Sequence, residues 1–189
     1  MRKTIAMALV ATAMAAGSAS AQAGASMAPV MVGGQSMLAT RDIVDNAVNS
    51  RDHTTLVAAV QAAGLVQTLK GPGPFTVFAP TNAAFSALPP QTVPTLLRPE
   101  NKPALTGVLT YHVVPGRLDF ATLSERIRMG GGSAALTTVN GQVLTAMMNG
   151  ARNITLRDAA GNVARIGTYD VIQSNGVIHV IDRVLMPRS

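Results

Sequence analysis

The sequence contains no cysteine and no tryptophan. Without cysteine there is no disulfide, no thiolate metal centre, no cysteine nucleophile and no lipid-anchored N-terminal cysteine. Aromatic residues make up only 3% of the 189 residues, two of them tyrosine. That scarcity argues against a base-stacking nucleic-acid platform or an aromatic sugar-binding face. Charge is sparse as well, 13% against 48% hydrophobic residues, and this balance excludes an intrinsically disordered chain. Fifteen Lys and Arg against nine Asp and Glu give a formal net charge of +6. Losing Arg2 and Lys3 with the leader described below leaves thirteen basic against nine acidic side chains. Such scattered charge attracts anionic surfaces generally and identifies none. A membrane-crossing run of ~20 apolar residues is also missing; the apolar, uncharged stretch from Ile5 to Ala16 is cut short by Gly17-Ser18. What remains is room for one domain of ordinary size with a modest appendage.

The appendage comes first. Arg2 and Lys3 form a positive start, the uncharged stretch follows, and Ala19-Ser20-Ala21 supplies a small-x-small cleavage site before Gln22. Residues 1–21 therefore read as a secretory signal peptide for the general export route. Residues 22–38, rich in Gly, Ala, Ser and Met, show no helical or strand period and read as a flexible tail. Met27, Met31 and Met37 lie in it. Thioethers are soft ligands suited to Cu(I), but no His or Cys accompanies them, so incidental methionines in a low-complexity leader are the favoured reading.

The folded part changes period halfway. Thr40 to Val48 predicts a short helix capped by Thr40, and a second runs from about Thr54 with Leu56, Ala59, Val60 and Ala63 on one stripe and Gly64 at its end. Gly71-Pro72-Gly73-Pro74 breaks the chain before a strand of β-formers, Phe75 to Ala79, closed by Pro80. Further helices are predicted after Thr81-Asn82, near Val93 to Leu97, from about Lys102 to Tyr111, and from Phe120 to Met129. From Ala134 onward strands take over. Ala134–Val139 and Gln142–Met148 flank Asn140-Gly141, a two-residue hairpin signal, and Asn153–Arg157 pairs with Val163–Thr168. The last strand, Gly176 to Met186, is apolar at both parities and should be buried on both faces. Helices first and a meander later is the α+β pattern.

Three stretches resemble the signature blocks of the fasciclin (FAS1) domain. Thr76-Val77-Phe78-Ala79-Pro80-Thr81-Asn82-Ala83-Ala84-Phe85 resembles the first block, Tyr111-His112-Val113-Val114-Pro115-Gly116 the central Tyr-His segment. Asn175-Gly176-Val177-Ile178-His179-Val180-Ile181-Asp182, followed by Val184-Leu185-Met186-Pro187, resembles the last. Their order and intervals fit, and the likeness covers residues 39–187. One departure is visible: Asn82 stands where the family often carries an acidic residue. The resemblance implies a β-wedge of about seven strands flanked by several short helices, and a role in protein–protein or cell–matrix adhesion without catalysis. It also implies that Tyr111-His112 could serve as an integrin-type contact.

The residues that could carry chemistry favour the same reading. His53, His112 and His179 are dispersed, without the i, i+4 spacing or acidic companions of a metal site. His112 continues an apolar helical stripe and His179 sits in the most hydrophobic strand, so both read as buried, hydrogen-bonded imidazoles rather than contacts. There is no Gly-x-Ser-x-Gly, and Gly130-Gly131-Gly132-Ser133 follows a helix and lacks the Lys of a phosphate loop. Met147-Met148 reads as core filler, Asn153-Ile154-Thr155 as a sequon by pattern only, and Arg126, Arg128, Arg152, Arg157 and Arg165 as solvated charge. The expectation is an exported, non-catalytic, monomeric adhesion or interaction module, periplasmic or extracellular, with a macromolecular partner, no nucleic acid, no membrane span and no cofactor. The alternative is an exported binder of a small ligand, either an apolar molecule or Cu(I) through Met residues. Intact-mass analysis of the exported protein should give a chain beginning at Gln22; a soluble protein that retains residues 1–21 contradicts the leader assignment.

Overall fold

The computed structural model describes residues 29–188. The expected signal peptide and the first part of the expected tail lie outside the described residues. The rest of that tail is not a tail. Strands β1 (Val30–Val32) and β2 (Gln35–Met37) form an antiparallel hairpin, with Val30 opposite Met37 and Val32 opposite Gln35. Gly33 and Gly34 both have positive φ, 59° and 74°, the two-residue turn that matches the natural twist of paired strands. Val32 and Met37 are buried, and the Asn46 side chain grips Leu38 through its N–H at 3.1 Å and its carbonyl at 2.8 Å. Three-residue strands of mixed composition are too short to show a period, which is why composition alone misreads them.

Helix α1 (Ile43–Ala47) starts two residues later than Thr40 would place it, because Asp42 is the cap: its carboxylate accepts from Asp45 N–H at 2.8 Å. A 3-10 turn, Arg51–His53, leads into α2 (Thr54–Ala63), which buries Leu56, Ala59, Val60 and Ala63 and stops at Gly64 in the left-handed region. One unforeseen turn, α3 (Val66–Leu69), precedes β3 (Phe75–Pro80). Then come α4 (Asn82–Ser86), α5 (Thr92–Leu96), α6 (Lys102–Tyr111), β4 (Val113–Pro115) and α7 (Phe120–Met129), the last capped by the Asp119 carboxylate on Thr122 N–H at 2.8 Å.

Strands β5 (Ser133–Thr137), β6 (Val143–Met148), β7 (Ile154–Arg157), β8 (Val163–Gln173) and β9 (Gly176–Ile181) complete a seven-stranded sheet in the order β4-β3-β9-β8-β7-β6-β5. All neighbours are antiparallel except β3 and β9, which run parallel from Phe75 opposite Gly176 to Pro80 opposite Ile181. The fold is α+β, with the expected number of strands in its main sheet.

Three boundaries differ from expectation. The β5–β6 connection is a three-residue loop, not a two-residue turn: Thr138 N–H donates to Gln142 O at 3.0 Å and Gly141 takes φ +85°. Its extra residue has a use, since Val139 N–H donates to Val113 O at 2.8 Å and so ties that end of the sheet to β4 at the other. Strand β8 runs five residues past Thr168, through irregularities between Ile166 and Val171 where Asp170 adopts φ 54°. Strand β9 ends at Ile181, and Val184 and Leu185 are buried beyond it without pairing as strand.

The central strands divide two cores. From β3, Val77 and Ala79 join a core beneath α1, α2 and α6, while Phe78 joins a second core with α7 and β5 to β8. From β9, Ile178 and Val180 take the first side and Ile181 the second. Met37→Ala should lower stability by about 2–3 kcal/mol, as expected for emptying a buried site. Met31→Ala, at a side chain 60% exposed, should leave the denaturant midpoint unchanged. Equal, negligible effects at both positions would show that the hairpin does not pack.

Candidate binding site

The residues of the three sequence blocks are drawn inward. Thr76 is fully buried on β3; its Oγ1 donates to Gly116 O at 2.7 Å and accepts from Leu118 N–H at 2.8 Å. Gly116, at φ +97°, also donates its N–H to Pro74 O at 2.9 Å, so the chain after β4 is bound to β3 from both sides. Phe78 stacks on His179 with ring centroids 5.7 Å apart, and Tyr169 meets the same imidazole edge-on at 5.9 Å. His179 Nε2–H donates to Leu118 O at 2.7 Å, while Nδ1 faces Asp170 N–H at 3.3 Å.

Tyr111 and His112 are equally enclosed. The Tyr111 hydroxyl donates to Val143 O at 3.0 Å and accepts from Ala159 N–H at 2.9 Å. His112 bridges Val108 O, 2.8 Å from Nδ1, and Leu185 N–H, 3.0 Å from Nε2. A carbonyl can only accept and an amide can only donate, so Nδ1 carries the proton. Burial pushes the His112 pKa down to about 4, and burial also holds His179 and His53 below the usual imidazole value. Burial raises the Tyr111 phenol.

The remaining block residues act as connectors. Thr81 caps α4 with Oγ1 on Ala84 N–H at 3.3 Å. Asn82, the first residue of α4, caps a different helix: its Oδ1 accepts from Thr55 N–H at 3.0 Å at the start of α2, and its Nδ2 donates to Arg51 O at 2.8 Å. A carboxylate could supply the first bond but not the second. Asn175 joins four partners, accepting from Ile43 N–H at 3.0 Å and Phe75 N–H at 3.0 Å and donating to Leu69 O at 2.7 Å and Gly71 O at 3.2 Å. Gly176 lies so near β3 that a Cβ there would collide with Phe75 O. Asp182 accepts from Arg165 N–H at 2.7 Å. Pro80 is buried and Phe85 half-buried, while Pro115 and Asp182 are exposed. The blocks build the scaffold and leave little side-chain surface for contact.

What the sequence did not reveal is an apolar pocket of about 270 Å³ between α1, α2, α3, β3 and the start of β4. Its wall includes Ile43, Leu56, Val60, Leu69, Val77 and Ile178. His112 reaches the wall with both ring nitrogens already bonded, and Thr110 Oγ1 turns away to Thr106 O at 2.7 Å. At the rim, Lys70 Nζ pairs with Asp45 at 2.5 Å and Asp42 at 3.4 Å. The hydrogen bond from Lys70 lowers the Asp45 pKa, and its partner raises that of Lys70. Val48 and Val139, also on the wall, are 49% and 45% exposed. In the sequence Val48 follows Val44 at helical spacing along the first helix and Val139 closes a predicted strand, so neither signals the pocket. Among the described residues no cluster of three His, Asp or Glu could hold a metal, and no helix is long and apolar enough to cross a membrane. Met31 is exposed and Met37 buried, so these two thioethers do not share one environment.

Residues 51–187 match the family described as the Fasciclin domain. Protein sll1483 of Synechocystis is 46% identical over 145 residues, which are 77% of this chain and 73% of that protein. Immunogenic protein MPB70 of Mycobacterium bovis is 38% identical over 152 residues, covering 75% of this chain and 66% of that one. A solved FAS1 domain pair from the insect cell adhesion molecule fasciclin I is similar in fold, with a TM-score of 0.68 at 17% identity. The likeness covers 77% of this chain and 51% of the pair, so the chain spans about half of that structure's length.

His112→Ala should destabilise the protein by about 1–3 kcal/mol by orphaning Val108 O and Leu185 N–H. The pH dependence has a fixed sign. A neutral imidazole with a folded pKa of about 4 loses stability as pH falls from the unfolded value near 6.5 toward the folded one, by about 3 kcal/mol in all. Urea titrations between pH 7 and pH 4 should show that acid limb in the parent and a shallower one in His112→Ala. Identical limbs would show that His112 is already charged in the fold.

Proposed function

Because the chain belongs to the fasciclin domain family, we propose that it is an exported, non-catalytic interaction module that joins a macromolecular partner at the cell surface or in a surrounding matrix. The observation that carries this reading is the family match over residues 51–187. The related domain pair of a cell adhesion molecule supports it, as does the use of both block imidazoles as bonded, neutral core groups. Neither imidazole is left free to take a proton from a substrate. The leader at residues 1–21 supplies the route out of the cytoplasm, and periplasm, cell surface and medium all agree with it. The partner is a protein or an envelope or matrix polymer; nucleic acid and a membrane span play no part. The module works as a monomer, and one copy presents one contact surface, so its hold is weak alone and rises when many copies act together.

Affinity does not follow from buried area, but micromolar binding is expected for a single domain of this kind. Coated on beads, the protein should attach to envelope or matrix preparations far better than a single copy binds. Residual attraction through its positive charge should fade as salt rises, while a packed contact persists. Attachment that disappears wholly at high salt, or that equals a heat-unfolded control, contradicts the adhesion reading.

A further inference from the structure

We propose that the pocket beneath α1, α2 and α3 is a binding site for a small uncharged apolar molecule of roughly ten carbon atoms. This goes beyond the adhesion reading and does not depend on it. The size follows from volume: a buried apolar cavity of about 150 Å³ holds one benzene ring, so the pocket's 270 Å³ accommodates nearly twice as much.

The chemistry follows from the wall. It is aliphatic almost throughout, from Ile43 and Val60 to Val77 and Ile178. Gln61 and Thr68 reach it from exposed positions, and the other polar groups that do so are occupied. Both nitrogens of His112 are bonded, Thr110 Oγ1 is held by its own helix, and Lys70 is paired with two carboxylates. An anionic ligand would have to strip Lys70 from Asp45 and Asp42, and a cationic one would have to strip those carboxylates from Lys70. A neutral apolar molecule displaces nothing. It gives the wall the dispersion contacts an empty apolar space lacks. Val48 and Val139 extend the apolar surface out to solvent, so the path in is apolar too.

The N-terminal hairpin closes the inner end. Ala47, Ala79 and Ile178 line both this pocket and a small space of about 10 Å³ beyond it, bounded by Val32, Met37, Ser50 and His53. That second space has room for no more than about one water, and His53, bonded through Nδ1 to Ser50 Oγ at 2.8 Å, borders it. The hairpin thus makes the pocket a blind cup rather than a channel.

The test titrates the purified protein with naphthalene and, separately, with naphthalene-2-sulfonate, followed by calorimetry or protein NMR. Naphthalene should bind saturably at one site, and the sulfonate at least tenfold more weakly. Ala47→Phe, which fills the cup from within, should weaken naphthalene binding at least tenfold while the thermal midpoint holds or rises. If that variant fails to fold, Val48→Asp decides, since it charges an exposed rim position and should weaken binding by a similar factor. The proposal is overturned by no saturable naphthalene binding, by equal affinity for the sulfonate, or by folded variants that bind like the parent. Self-association abolished by Val48→Asp would give the pocket to a second copy. Loss of bead attachment in Ala47→Phe, with no naphthalene binding in the parent, would give it to a partner's side chain. Either result overturns the small-molecule assignment. Failure of the adhesion reading alone leaves naphthalene binding unaffected.

Discussion

The parallel pairing of β3 with β9 is the contact on which the rest depends. About a hundred residues separate Phe75 from its partner Gly176, and every helix from α4 to α7 and every strand from β4 to β8 lies in the loop they close. The pairing puts β3 and β9 between the two cores, each strand sending alternate side chains to both. It admits only glycine at position 176, where Phe75 O occupies the space of a Cβ. Asn175, just before, ties the same junction to α1 and to the turn after α3. A fold organised around so distant a pair completes its centre only once its last residues have arrived.

Buried histidines are the means by which that centre satisfies its irregular backbone. Val108 O and Leu185 N–H belong to different segments and cannot reach each other; His112 spans them. Leu118 O and Asp170 N–H are bridged by His179 in the same manner, with the proton on the other ring nitrogen. No aliphatic side chain could do this, and a charged one would be costly at such burial. Thr76, with one bond given and one received, does the same for the chain between β4 and α7. The residue types that look most like functional groups in the sequence are therefore spent on holding backbone together.

Much of this was legible beforehand. Helices α2 and α7 announce themselves by the glycines that end them, α6 by its apolar stripe and by Pro103 in its first turn, and β9 by being apolar at both parities. The burial of His112 and His179 follows from the stripe and strand that contain them. The misses have local causes. Strands β1 and β2 are three residues each and carry Gly, Ser and Gln. The far half of β8 is disguised by Asp170, whose positive φ interrupts the alternation. The pocket was invisible because it is a gap between elements that are each ordinary alone, and no pattern in one segment encodes the space left between several.

The central claim is that the motif blocks form the most stable part of the molecule, with the N-terminal hairpin and the loop around Asn140 held less firmly. Native-state hydrogen exchange of the whole protein tests it most directly. The account predicts that amides of Val77 to Ala79 and Val177 to Ile181 exchange only through global unfolding, while those of Val30 to Met37 and of the loop around Asn140 exchange through smaller local openings. Exchange of the β3 and β9 amides at the same low free energy as that hairpin and loop would contradict it.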